Sequence, residues 1–400
     1  MPRKTTMWLV LTVDPARVAF TRFAIPTTPE NAASTTPGSP APTTPGSPAA
    51  TLLGSPVPTA PEGTVPTVQE SAEWTSEEHP IGFAATQIIP SWTARTPPGS
   101  WIEIALRARP AAEPGRWTKW YVMGRWSEHG DPRTSVPGQG DEDGDVAVDT
   151  FVARRPVTAY QVRVTWHGGG AEVTGLGVMA SALPPRPPST SVFGPGGAVE
   201  LDVPRHSQYA HAGHHPRYDG GGANWCSPAS VAMVLAYWGR GPSPDELAWV
   251  GDGDPAPAVD HAAAGTYDAS YQGTGNWPFN VAYAGRYGLK GFVTRLRSAA
   301  ELEPFIRAGI PVITSQSFKA HELPGSCYST DGHILVVTGF TAGGDVVVND
   351  PAAPTDDEVR RVYPRAAFEH VWLRRSGSGG IVYVLHPPDV PLPPSTNGNW

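Results

Sequence analysis

Two proline-rich stretches partition this chain before any motif is considered. From Pro26 to Pro66 the sequence is dominated by Pro, Thr, Ser and Gly, and Thr35-Thr36-Pro37-Gly38-Ser39-Pro40 nearly recurs as Thr43-Thr44-Pro45-Gly46-Ser47-Pro48. Such composition buries too little apolar surface to offset chain entropy, so residues 26–70 are expected to form a flexible segment. The second stretch, Leu183-Pro184-Pro185-Arg186-Pro187-Pro188-Ser189, has polyproline character and reads as a semi-rigid linker over 184–198. What remains is an N-terminal segment (1–25), a first folded region (71–183), a second (199–388) and a short tail (389–400). A hydrophobic fraction of 40% in 400 residues suffices for ordinary cores in both regions.

The N-terminal segment has a basic part, Pro2-Arg3-Lys4, and an apolar part, Met7–Val13, in the order of an export signal. The apolar run is short and Asp14-Pro15-Ala16-Arg17 offers no small-residue cleavage site, so this end reads as a strand or the remnant of a signal. No stretch is long enough to span a bilayer. A formal charge of −8, a charged fraction of 16% and the lack of a long Lys/Arg run argue against nucleic acid as the main partner, because phosphate binding needs clustered positive charge. Peptides, glycans or small molecules fit better. With Cys226 and Cys327 as the only cysteines, no disulfide framework can form, and Cys327, in Pro324-Gly325-Ser326-Cys327-Tyr328, reads as an incidental small residue.

From Trp74 to Leu183 the pattern is β. Trp101–Arg107 and Tyr160–Trp166 alternate apolar with other residues, and turn clusters such as Thr96-Pro97-Pro98-Gly99 separate the runs, which predicts an antiparallel β-sandwich. Its tryptophans could line a glycan-binding face, although aromatic residues fill sheet interiors as a matter of course. Asp141-Glu142-Asp143-Gly144-Asp145 has the look of a calcium loop but lacks the downstream glutamate, and is expected to be a solvated turn.

The second region begins with helix signals. Trp225-Cys226-Ser227-Pro228 leads into the small-residue, apolar run Ala229–Trp238, a buried helix ending at Gly239. Ser243-Pro244-Asp245-Glu246 is a capping box, Asn276 precedes a helix from Trp277, and Ser298 can cap a helix running to about Gly309. Strands follow at 311–315, 334–338, 346–348 and 381–385, so the expected plan is α+β.

The chemistry-bearing residues sit on these elements. A thiol at the start of a helix lies where unpaired N–H groups and the positive end of the dipole favour the thiolate. His333 opens an apolar strand, and Asn349-Asp350-Pro351 closes the next one. Amide hydrolysis by a thiol needs a histidine to share its proton, a group to fix the imidazole tautomer, and donors for the oxyanion. Cys226, His333 and Asp350 supply the first three types, and the backbone N–H of Cys226 with the side-chain amide of Gln208, in His206-Ser207-Gln208-Tyr209, would supply the donors. His206, His211, His214 and His215 also cluster between Arg205 and Gly222, but no CxxC or HExxH pairing accompanies them, so they read as a polar loop near the cleft, with no metal and no cofactor called for.

These residues reach a family. The second region resembles the C39-like cysteine peptidases, particularly the actinobacterial secreted type with a β-sandwich ahead of the peptidase. The resemblance rests on Val203-Pro204 with Ser207-Gln208-Tyr209, on Trp225–Pro228 running to Gly239, on Gly273–Asn280, on Asp331-Gly332-His333 and on Val347–Pro351. It implies a papain-like fold with Cys226 as nucleophile, His333 as base, Asp350 as its partner and Gln208 assisting the oxyanion. It also implies a secreted or cell-surface enzyme acting on peptides or cell-wall cross-links. A scaffold that binds without catalysis, and a thiol acyltransferase, are the alternative functions.

Overall fold

The computed structural model describes residues 16–30, 71–186, 188–251 and 253–400. The apolar run Met7–Val13 and nearly all of the Pro/Thr/Ser-rich segment lie outside the described residues. Among the described residues, no helix is long and apolar enough to cross a membrane.

The first sheet contains β1 (Arg17–Arg22), β2 (Ser71–Thr75), β3 (His79–Arg95), β4 (Trp101–Pro110), β5 (Tyr121–Trp126), β6 (Gly144–Ala147), β7 (Thr150–His167) and β8 (Glu172–Ala182). All pairings are antiparallel and all eight strands join one hydrogen-bonded network, β1-β8-β3-β7-β4-β5, with β2 and β6 also on β7. The long strands allow this by changing partners along their length: β3 pairs with β7 between His79 and Ile88 and with β8 from Gln87 to Arg95. Alternation in β4 and β7 turns Ile102, Ile104, Val162 and Val164 inward, and Trp92, Trp126 and Trp166 are fully buried among them. Three of the region's seven tryptophans are therefore core, and Trp74 packs against it. Trp117 and Trp120 are different, sitting under the guanidinium groups of Arg107, Arg109 and Arg163.

The acidic turn is only partly solvated, with Glu142 exposed and Asp143 buried. Asp143 is 5% exposed and pairs with Arg116 and Arg155 at 2.6 and 2.7 Å, while Asp141 accepts from Tyr121 Oη and from the N–H groups of Asp143 and Gly144. Arginines and local N–H groups occupy the carboxylates that a cation would need.

The second sheet holds β9 (Val199–Glu200), β10 (Lys290–Arg295), β11 (Val312–Phe318), β12 (Thr330–Phe340), β13 (Val346–Asn349), β14 (Arg360–Tyr363) and β15 (Ile381–His386), in the order β10-β15-β11-β12-β13-β14 with β9 on β12. Its helices are α1 (Cys226–Tyr237), α2 (Pro244–Leu247), α3 (Pro257–Thr266), α4 (Trp277–Arg286), α5 (Ala299–Arg307) and α6 (Arg365–Leu373). The plan is α+β with two antiparallel sheets.

Local signals explain the helix ends. Gly239, at φ +62°, closes α1 while Arg240 N–H bonds the carbonyl of Leu235 and Gly239 N–H that of Ala236. Ser243 and Glu246 form the reciprocal capping box of α2, and Asn276 Oδ1 accepts from Phe279 N. Ser298 precedes α5 without a capping bond; Glu369 of α6 takes the Ala299 N–H instead, at 2.5 Å, and Ser191 Oγ that of Ala300. A tertiary carboxylate has displaced the local cap there.

The two regions share one core. Phe279 of α4 stands 6.1 Å from the ring of Trp92 and 5.4 Å from that of Trp126, and one continuous apolar cluster runs from β3 through α4 to β15. Val293 N donates to Ser91 Oγ, Arg295 to Gln87 Oε1, and Arg133 to the carbonyls of Ala264 and Tyr267. The C-terminal tail lies in the same seam, where Phe20 N donates to Gly398 O and Asn399 Nδ2 to Arg295 O.

Candidate active site

Helix α1 is buried from Ser227 to Leu235 and crosses β12, where Ser230 Oγ donates to the carbonyl of Ile334. A helix apolar on every face belongs inside a domain, and its alanines and serines let the sheet approach closely. Pro228 costs nothing at the third helical position, because first-turn N–H groups have no intrahelical acceptor. Trp225, fully buried against Ala229, Val259 and Ala263, precedes the helix and makes no side-chain cap. The N–H of Cys226 therefore has neither an i−4 carbonyl nor a cap to bond.

His333 lies on β12 in register with Gln316 of β11. Asp350 follows β13, its N–H donating to Val359 O at 2.7 Å. The antiparallel step from β12 to β13 carries the carboxylate back beside the ring, where Nε2 of His333 and Oδ1 of Asp350 are 2.8 Å apart. Cys226 lines the same cleft as His333, close enough to the imidazole to favour its charged form. His333 is 4% exposed and Asp350 not at all. Burial opposes the charged ring, but the charge and hydrogen bond of Asp350, with the nearby Cys226, outweigh it and hold His333 up at about 10. Burial would likewise raise Asp350, yet His333 and the hydroxyls of Tyr363 and Tyr328 hold its carboxyl down at about 2.

Both tyrosines donate to Asp350: Tyr363 to Oδ2 at 2.5 Å, Tyr328 to Oδ2 at 2.9 Å and Oδ1 at 3.1 Å, while Ala352 N–H adds a further bond to Oδ1. Burial and the Asp350 charge push both phenols well above their usual range, so they remain donors. Sequence reasoning missed them. Their only signal was position, one after Cys327 and one at the end of a strand too short to be recognised.

Gln208 reaches the same cleft from a 3-10 turn, Gln208–His211, and is 4% exposed. Its Nε2 donates to Ala223 O, and its backbone N–H to Pro351 O at 2.9 Å. An amide nitrogen carries two protons, so one stays available to an oxygen bound beside Cys226. Gly222 makes this crossing possible, because a Cβ there would collide with the carbonyls of Gln208 and His211. Asn349, beside Asp350, ties the strand end to Val203 O and Pro204 O, both at 3.0 Å.

The cleft above Cys226 and His333 has a volume of about 710 Å³, and its walls come from both regions. Gln87 of β3 and Val148 and Asp149 of the β6–β7 turn face it together with Tyr271, Trp277 and Gln208 of the second region. Asp149 is buried, accepts the N–H of Trp277 at 2.9 Å at the start of α4, and is pushed up to about 6 by burial. The first region is thus part of the cleft wall, a role that periodicity in β-strands could not reveal.

The histidine-rich loop also differs from the sequence expectation of a polar loop. His211 is 1% exposed, and with His214 it faces Asp254 and Asp260, which sequence spacing did not connect to it. Cys226 and Cys327 are both free, the first half-buried and the second exposed.

Comparison with known proteins follows the same division. Residues 40–181 match the peptidase C39 N-terminal domain, and residues 200–379 match the C39-like peptidase family. A solved structure from Bacillus anthracis, assigned to the C39-like peptidases, is similar at 21% identity over 47% of this chain and 96% of its own, with a TM-score of 0.30. No protein with a curated description matches.

Proposed function

As a member of the C39-like peptidases that carries their actinobacterial N-terminal domain, this chain is, we propose, a thiol hydrolase that cleaves peptide or amide bonds through Cys226, His333 and Asp350. The observation that carries the reading is a buried His333, bonded to Asp350, that shares an open cleft with Cys226 at the start of a helix. The papain-like arrangement finds support in the same geometry, with the nucleophile at a helix start, the base on one strand and the carboxylate just past the end of its antiparallel neighbour.

The chemistry follows from those positions. The sulfur of Cys226, its proton held by His333, attacks the substrate carbonyl carbon, and the carbonyl π pair moves onto oxygen. That oxyanion accepts from the N–H of Cys226 and from Gln208 Nε2. Collapse breaks the C–N bond as His333 passes its proton to the departing amine, which leaves a thioester on Cys226. His333 then takes a proton from water, hydroxide adds to the thioester carbon, and the carboxylic acid leaves as the thiol is restored. Asp350 fixes the ring through Nε2 and stabilises its charged form, and Tyr328 and Tyr363 fix Asp350.

Substrates are expected to be peptides or the peptide cross-links of a cell wall, met outside the cell, with the β-sandwich-like first region helping to hold them. A thiol-directed activity probe tests the core of this reading. Labelling that disappears in Cys226→Ala and persists in Cys327→Ala supports it. An unlabelled wild-type protein across pH 5–9 would instead favour a scaffold that binds without catalysis.

A further inference from the structure

Behind the catalytic cleft, the loop that carries Gln208 meets the start of α3 through four side chains. His211 Nδ1 lies 2.6 Å from Asp260 Oδ2 and 3.6 Å from Asp254 Oδ2. His214 Nδ1 lies 3.1 Å from Asp254 Oδ2 and 3.3 Å from Asp260 Oδ1. One donor atom from each residue falls within 4.8 Å of the other three. In a tetrahedral zinc site with metal–ligand bonds of about 2.0–2.1 Å, neighbouring donors are separated by about 3.3 Å. The cluster has that scale.

Hydrogen bonding alone accounts poorly for it. His211 is 1% exposed and Asp260 0%, yet among the described residues neither ring nitrogen of His211 nor Oδ2 of Asp260 has a hydrogen-bond partner, despite the short Nδ1–Oδ2 separation. The two atoms approach without the alignment a hydrogen bond requires. Buried polar atoms left in that condition are costly unless they coordinate a cation. Asp254 is already oriented for such a task, because its Oδ1 accepts the N–H of Ala256 at 2.8 Å while Oδ2 faces the two histidines.

We propose that His211, His214, Asp254 and Asp260 form a structural site for a divalent transition metal, zinc by ligand preference. Two imidazoles and two carboxylates suit zinc better than magnesium or calcium, which favour all-oxygen shells. The two carboxylates also neutralise a dication. The site's place in the fold says what the ion does. His211 ends the 3-10 turn that begins at Gln208, and Asp260 sits in the first turn of α3, which packs on α1 through Val259, Ala263, Ala229 and Trp225. The metal ties the oxyanion-side loop to the helix that supports the nucleophile. It lies apart from the bond-making atoms and takes no part in the chemistry.

The test uses the whole, tag-free chain carrying Cys226→Ala, so that no catalytic thiolate competes for metal and the result stands apart from the hydrolase reading. Stripped with a chelator and dialysed against Zn²⁺, it should retain about one equivalent through gel filtration and unfold at a higher temperature than the stripped form. Co²⁺ in its place should give the intense visible absorption of a four-coordinate ion. His214→Ala, at a side chain 36% exposed, and Asp260→Asn should each weaken Zn²⁺ by more than the ~10–100-fold typical of an outer-shell partner. If Asp260→Asn does not fold, His214→Ala decides alone. Failure of the parent chain to retain Zn²⁺, or retention at unchanged affinity by a folded variant, overturns the site and leaves a histidine–aspartate cluster with no ion.

Discussion

Tyr363 and His333 divide the Asp350 carboxylate between them: the phenol donates to Oδ2 at 2.5 Å, and the imidazole faces Oδ1 at 2.8 Å. Tyr363 ends β14 opposite Val346 at the start of β13, and its long side chain reaches back to the carboxylate that follows β13. A hydrogen bond to a charged group contributes about 1.5–3 kcal/mol, and Tyr328 still donates when Tyr363 is lost. Tyr363→Phe should therefore lower kcat/KM by roughly tenfold. Because Asp350 would be less firmly anionic, His333 would be less strongly raised, and the basic limb of the kcat/KM profile should move to lower pH. A reduced rate with an unmoved profile would assign Tyr363 to packing alone.

Gln208 is a sharper case, since its Nε2 already donates to Ala223 O and only its second proton can serve the reaction. Loss of one oxyanion donor costs about 10²–10³ in kcat. Gln208→Ala is expected to show that loss with KM little changed, measured on a cleavable peptide. An equal change in KM and kcat/KM would mean that Gln208 contacts the ground state and not the oxyanion.

The charged pair also makes stability depend on pH in a defined direction. His333 is raised to about 10, so its contribution is fully present below the unfolded value of about 6.5 and disappears as pH rises towards 10. Asp350 is lowered to about 2, so its contribution is present above about 3.9 and disappears as pH falls. Urea midpoints of the wild type should drop between pH 6.5 and 10 more steeply than those of His333→Gln. Parallel curves for the two proteins would contradict the pairing.

The residues proposed for catalysis and their elements were legible because each carried a local mark: a cysteine two residues before a proline at a helix start, a histidine at the head of an apolar strand, an aspartate at a strand end. What escaped was set by strand order. Tyr328 and Tyr363 reach Asp350 only because β12, β13 and β14 are neighbours, and no spacing in the chain announces that. Asp254 and Asp260 were hidden from His211 in the same way, by a helix that folds back on the loop. The proline-rich linker suggested two separable halves. Composition marks a change of pattern but cannot show that Phe279 will fill the space between Trp92 and Trp126.

That shared core should make the two regions unfold together. Gly285 of α4 lies so close to β3 that an added Cβ would stand 2.7 Å from Cβ and Cγ2 of Thr93. Alanine's better helix propensity, worth about 1 kcal/mol, works against the clash, whereas overpacking costs about 1–3 kcal/mol. Thr93 is branched at Cβ and held in a central strand, so the clash should win. Gly285→Ala is expected to lower the urea midpoint, with partial recovery on adding Thr93→Ser, which removes Cγ2. In every variant, tryptophan fluorescence and loss of probe labelling should follow one transition; two separated transitions would show that the halves fold independently.

The tip of the β6–β7 hairpin links strain in the first region to the cleft of the second. Val148 has φ +59°, and Asp149 N–H bonds the carbonyl of Ala147 at 2.8 Å, which makes Val148 the centre of the rare γ-turn with positive φ. A β-branched residue is the least suited to that conformation, and such strain costs on the order of 1–3 kcal/mol. It is held by the β6–β7 pairing on one side and by the bond from Trp277 N to Asp149 on the other. Since Val148 lines the cleft with Cys226, its side chain should contact substrate. Val148→Gly relieves the strain at an entropic cost of about 0.5–1 kcal/mol and should raise stability by roughly 1 kcal/mol. Val148→Ala keeps the strain and removes only the methyl groups. Both variants should raise KM with kcat nearly unchanged, and Val148→Gly alone should gain stability. Unchanged KM in both would remove the hairpin from the substrate path, and equal stability in the two would show that the turn is not strained.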